Sequence, residues 1–145
     1  MVSPGAPRGM KRRIASCAAA LLVGLAYAPA LAQQPVVDEW YVALAAADRA
    51  KLERLLADDA KIRLTDLGVE QTKAEFVASL DEWEAAIKGA TIRHRIESSE
   101  GAVTTVIACY DFPANDVLLR EMFHIEAGLI RENNQDAIAE NCEAY

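Results

Sequence analysis

The chain reads as an α+β domain: a curved antiparallel sheet wrapped as a cone around three N-terminal helices, with a pocket inside. Three observations predict it. Thr72-Lys73-Ala74-Glu75 is a capping box, and Phe76, Leu80, Trp83 and Ile87 then fall on one helical face before Gly89 closes the helix. After Gly89 the apolar period changes from helical to two and stays there. Helical segments thus come first and strands follow in a block, an order that favours an antiparallel sheet over alternating strand–helix units.

The remaining elements follow in order. Val37, Trp40, Tyr41 and Leu44 recur at helical spacing, so a first helix starts near Pro35. Asp48 suits the N-cap of a second helix carrying Leu52, Leu55 and Leu56, which Asp58-Asp59 ends. Lys61 to Leu64 alternates as a strand, Thr65 to Gly68 is a turn, and Val69 to Gln71 returns. Beyond Gly89, Ile92, His94 and Ile96 alternate with Arg93, Arg95 and Glu97. A turn at Ser98 to Gly101 leads to a strand from Val103 to Phe112, apolar on both faces. Pro113 to Asp116 turns the chain into a strand from Val117 to Glu126, and Ala127-Gly128 is a tight hairpin before a last strand from Leu129.

The N-terminus carries a different signature. Arg8, Lys11, Arg12 and Arg13 precede an alanine-rich apolar run from Ile14 to Tyr27, and Ala30-Leu31-Ala32 places small residues at a cleavage site before Gln33. This is the secretory pattern, and the run is too short to span a bilayer. Residues 1–32 are therefore expected to be a signal peptide and residues 33–145 one domain, exported to the periplasm or secreted. Cleavage removes 4 of 15 basic residues and leaves 11 against 22 acidic ones, a net charge of −11. So acidic a domain repels phosphate backbones and anionic membrane surfaces, which argues against nucleic-acid or membrane partners. Two cysteines remain, Cys109 and Cys142, and in an oxidising compartment an even count predicts a disulfide.

The stretch Glu121-Met122-Phe123-His124-Ile125-Glu126-Ala127-Gly128-Leu129-Ile130-Arg131-Glu132 resembles the penultimate hairpin of the nuclear-transport-factor-2-like superfamily in its SnoaL-like branch. The opening helices, with their leucine pair before Asp58-Asp59, are similar to that branch too. The resemblance runs through about the whole mature chain. It implies the cone fold and a range of activities: isomerases, dehydratases, polyketide cyclases and binding proteins. In the enzymes an acid, often helped by His or Tyr, moves protons inside an apolar cone, where burial brings a carboxyl towards a usable pKa.

Glu121 shares strand parity with Val117, Leu119, Phe123 and Ile125, so it is expected to be buried, facing the pocket or paired with an arginine. His94, between two isoleucines, and Tyr41, on the first helix, are the expected helpers. Trp40, Leu44, Phe76, Trp83 and Phe123 are the expected pocket walls. The two histidines lie far apart without partners at ligand spacing, and no glycine-rich phosphate loop or Gly-x-Ser-x-Gly elbow occurs, so no metal or cofactor is expected. The sequence thus predicts an apolar pocket for a small hydrophobic molecule. The alternatives are a proton-transfer enzyme and an interaction module without a ligand. The doubly apolar strand from Val103 to Phe112 predicts in addition a homodimer formed through the outer face of the sheet.

Overall fold

A computed structural model describes residues 29–145. The basic and apolar zones of the expected signal peptide lie outside the described residues. Helix α1 (Pro29–Ala45) is followed by α2 (Arg49–Leu55), β1 (Leu56–Leu64), a 3₁₀ turn (Thr65–Leu67) and β2 (Val69–Thr72). Then come α3 (Lys73–Ala86), β3 (Thr91–Glu100), β4 (Val103–Asp111), β5 (Asp116–Glu126) and β6 (Leu129–Ala139). The six strands form one curved, open sheet in the order β2-β1-β6-β5-β4-β3, and the helices lie on its concave side.

Local chemistry accounts for the helix ends. The Asp48 carboxylate accepts from Lys51 N at 3.0 Å to start α2. At α3 both halves of the capping box are made: Glu75 N donates to Thr72 Oγ1 at 3.3 Å, and Thr72 N donates to Glu75 Oε2 at 2.8 Å. Thr72→Ala is expected to cost about 1 kcal/mol, read as a lower urea midpoint at unchanged slope. Gly89 turns the chain out of α3 at φ +78°, and Ala127-Gly128, at +50° and +77°, makes the two-residue turn between β5 and β6.

Three local expectations are corrected. Helix α1 begins at Pro29, so Pro35 lies inside it, past the first turn, rather than at its start. Asp58 and Asp59 do not end α2. The strand has already begun at Leu56, and a bulge between Leu56 and Lys61 turns both aspartates to solvent. The sheet is also not wholly antiparallel: β1 runs parallel to β6, Ile62 opposite Asn133 and Leu64 opposite Gln135. The chain reaches this pairing only after the long excursion through α3 and β3 to β5, which a hairpin-by-hairpin reading omits.

The core fills the space between helices and sheet. Trp40, Leu52, Leu56, Ile62, Phe123 and Ile130 are fully buried, with Trp40 stacked on Phe76 at 5.4 Å and edge-on to Phe123 at 6.1 Å. Cys109 and Cys142 form a disulfide that pins the C-terminal segment across the outer face of β4 and β5. That segment buries Ile107, Cys109 and Leu118, and Arg93 lies over the Tyr145 ring at 4.6 Å. The doubly apolar strand thus finds its second cover within its own chain. Val103 and Met122 are the large apolar side chains of β4 and β5 left exposed on the face from which self-association was read.

Candidate functional site

A cavity of about 410 Å³ lies between α3 and the concave face of the sheet. Leu44, Phe76, Leu80 and Trp83 close it on the helical side, and Ile62, Leu64, Tyr110, Phe112, Val117 and Leu119 on the sheet side. Gln135 and Tyr110 supply polar atoms to the sheet wall, and Ser79, Gln71 and Glu82 stand on the α3 and β2 side. Strand alternation explains the lining: residues of even number on β4 and odd number on β5 point inwards, so Tyr110 and Phe112 adjoin Val117 and Leu119.

Glu121 is the charge-bearing centre of the concave face. It is wholly buried, paired across the sheet with Val106 on one side and Gln135 on the other. The Tyr110 hydroxyl donates to its Oε1 at 2.6 Å, and Asn133 Nδ2 donates to its Oε2 at 3.1 Å. Gln135 Nε2 in turn donates to Asn133 Oδ1 at 2.7 Å, so a hydrogen-bonded chain runs from the cavity wall to the acid. Burial pushes the Glu121 carboxyl above its ordinary range, and the hydrogen bonds from Tyr110 and Asn133 oppose that push. Burial likewise raises the Tyr110 and Tyr41 phenols well above 10, with the Glu121 charge adding to both. The Tyr41 hydroxyl is buried and makes no full hydrogen bond among the described residues, though it stands near enough to Glu121 for each to shift the other's ionisation.

The expected site residues divide into four places. Leu44, Phe76 and Trp83 line the cavity. Trp40 and Phe123 lie deeper, in solid core, because both pack directly between α1 and the sheet. Glu121 sits one layer behind the cavity wall, with polar side chains as partners in place of an arginine. His94 stacks on Tyr41 at 4.3 Å and bonds Asp38 Oδ1 through Nε2 at 2.8 Å, at the partly exposed margin between β3 and α1. The catalytic candidates therefore form a line, His94 to Tyr41 to Glu121, that reaches the cavity wall through Tyr110 and through Asn133 and Gln135. Tyr110, Asn133 and Gln135 were missed by sequence reasoning; the parity of β4 places Tyr110 inwards with Val106 and Ala108, and that signal was available.

Among the described residues no cluster of three or more His, Cys, Asp or Glu is arranged to hold a metal ion, and no helix is long and apolar enough to cross a membrane. No family model matches the chain, and no curated protein matches it in sequence. Solved structures do match it in fold. A nuclear-transport-factor-2-like protein of unknown function from Burkholderia xenovorans superposes with a TM-score of 0.65 at 17% identity, covering 79% of this chain and 88% of that one. A protein with a ketosteroid-isomerase-like fold from Catenulispora acidiphila, crystallised in complex with trimethylamine, gives 0.58 at 15% identity over 72% and 87%. IdmH from Streptomyces antibioticus, a proposed polyketide cyclase, gives 0.59 at 17% over 72% and 91%.

Proposed function

On the nuclear-transport-factor-2-like fold that this chain adopts, we propose that the cavity between α3 and the sheet binds a small, largely hydrophobic molecule. The observation that carries this reading is the lining: apolar and aromatic walls with a few convergent polar groups, the usual make-up of a small-molecule site. Ligand-bound and cyclase-like relatives share the fold, which fits the reading. The protein acts after export. The disulfide suits an oxidising compartment, and Pro35 suits a helix whose mature start is Gln33.

Native mass spectrometry of protein from an exporting host tests both statements at once. The polypeptide should begin at Gln33 and carry a co-purified small molecule, and Leu119→Trp, which fills the cavity, should lose it. Chains that retain Met1 or Met10 would refute export. A bare mass, together with no thermal shift from any panel of small apolar compounds, would refute the cavity site.

One observation favours a second reading, a proton-transfer enzyme of isomerase, dehydratase or cyclase type. The raised acid Glu121 bonds directly to Tyr110, and Tyr110 faces the cavity, so the pair is placed to pass a proton to a bound molecule. In this reading Glu121 acts through Tyr110, with Tyr41 assisting. Glu121→Gln separates the readings: a binder keeps its ligand unchanged, whereas an enzyme keeps its ligand and loses turnover.

A further inference from the structure

We propose that the ligand of this cavity is a hydrophobic organic cation, a tertiary or quaternary ammonium with apolar substituents; the proposal rests on the cavity being a small-molecule site. The charges of the lining come first. No lysine, arginine or histidine contributes to it, and its one charged side chain is the carboxylate of Glu82. Glu82 is exposed at the α3 side of the cavity and forms no ion pair with any described residue, so its charge stays available. An anionic ligand would meet that carboxylate and find no counter-charge. A cation would find one.

Aromatic geometry is the second argument. The Trp83 indole stands nearly perpendicular to both Tyr110 and Phe112, at 79° and 83° with centroids 6.1 Å away in each case. Tyr110 and Phe112 lie nearly parallel, 6.3 Å apart and 20° out of plane, as alternate residues of one strand line. The three rings make a corner against the cavity. Ring faces carry the negative side of the quadrupole and attract an ammonium group, most strongly where water is excluded.

The corner is also fixed in advance. Trp83 Nε1 donates to Leu44 O at 2.8 Å, and the Tyr110 hydroxyl donates to Glu121 at 2.6 Å. Both rings have thus committed their hydrogens to the protein and offer a ligand mainly their surfaces. Tyr110 gains further from its bond to a carboxyl group, which enriches the phenol ring in electron density. The strongly acidic balance of the domain, 11 basic against 22 acidic residues over 33–145, concentrates cations around it.

Calorimetric titration with three benzyl probes tests the assignment: benzyltrimethylammonium, its neutral isostere neopentylbenzene, and the smaller anion phenylacetate. The cation should bind about tenfold or more tighter than the isostere, and phenylacetate should bind weakest. Trp83→Leu should remove most of that preference. Glu82→Gln, an exposed substitution that leaves the core untouched, should weaken the cation several-fold and the isostere not at all, with the difference shrinking as salt is raised. An isostere that binds as tightly as the cation, or a cation affinity indifferent to Glu82→Gln and Trp83→Leu alike, would overturn the cation assignment and leave the cavity site standing. Failure of all three probes to bind would overturn the assignment together with the cavity reading.

Discussion

Glu121→Ala is expected to lower the unfolding free energy by about 3 kcal/mol near pH 5. The substitution leaves a void and strips partners from the Tyr110 hydroxyl and Asn133 amide, which are both buried. The companion Glu121→Gln keeps the shape and removes only the ionisation. Its signature is the pH dependence. Burial raises the folded carboxyl above the ordinary 4.5, so from that pH upwards the folded state holds a proton that the unfolded chain releases. Stability of the parent therefore falls as pH rises from about 4.5 through the raised folded value. Glu121→Gln lacks this decline, so the parent's advantage over it should narrow with rising pH. Exposed carboxylates held low by their partners, such as Glu70 beside Arg63 and Glu75 at the cap of α3, are common to both proteins and cancel in the difference. Urea titrations at pH 4, 6 and 8 decide the matter. A parent advantage that grows with pH would show that the carboxyl is not raised.

Cys142→Ser, or reduction of the parent, is expected to cost about 4 kcal/mol, the chain-entropy value for releasing a loop that joins residues 33 apart. In a domain of this size that is roughly a 15 °C drop in Tm, measurable by scanning calorimetry with and without a thiol reductant. Reduction acts in two places at once. It frees the unfolded chain, and it releases the segment that covers Ile107 and Leu118 on the outer face of the sheet. Thiol titration of the mature, unfolded, unreduced protein should find no free thiol. Two free thiols, or a Tm that ignores reductant, would end this account.

Whatever depends on near neighbours in the chain was legible. The Thr72–Glu75 box, the stop at Gly89, the Ala127-Gly128 turn and the inward parity of Glu121 each rest on spacings of one to four residues, and the structure has all four. What was not legible lies between distant segments. Asn133 reaches Glu121 because β5 and β6 pair through an irregular register at His124/Ile125, and a bulge of that kind shifts which residues face inwards. Trp40 and Phe123 read as pocket walls because a large apolar side chain looks alike in a core and in a cavity lining. The helix-to-sheet packing separates the two, and no local pattern encodes it. The C-terminal cover was half legible: the cysteine pair was read, but which side chains the segment lays over the outer face depends on contacts between distant segments.

The parallel pairing of β1 with β6 has a kinetic consequence. Strand β1 sits between β2 and β6, so the β1–β2 hairpin joins the sheet only through the last strand. The segment from β3 to β6 consists of successive hairpins and can zip up from local contacts. The β1–β2 hairpin takes its place in the sheet only once β6 has been made and exposes its free edge. Closing so long a loop before its contacts form is slow, on the order of milliseconds to seconds for topologies of this kind. Until then the β1–β2 hairpin has no neighbouring strand to complete its place in the sheet.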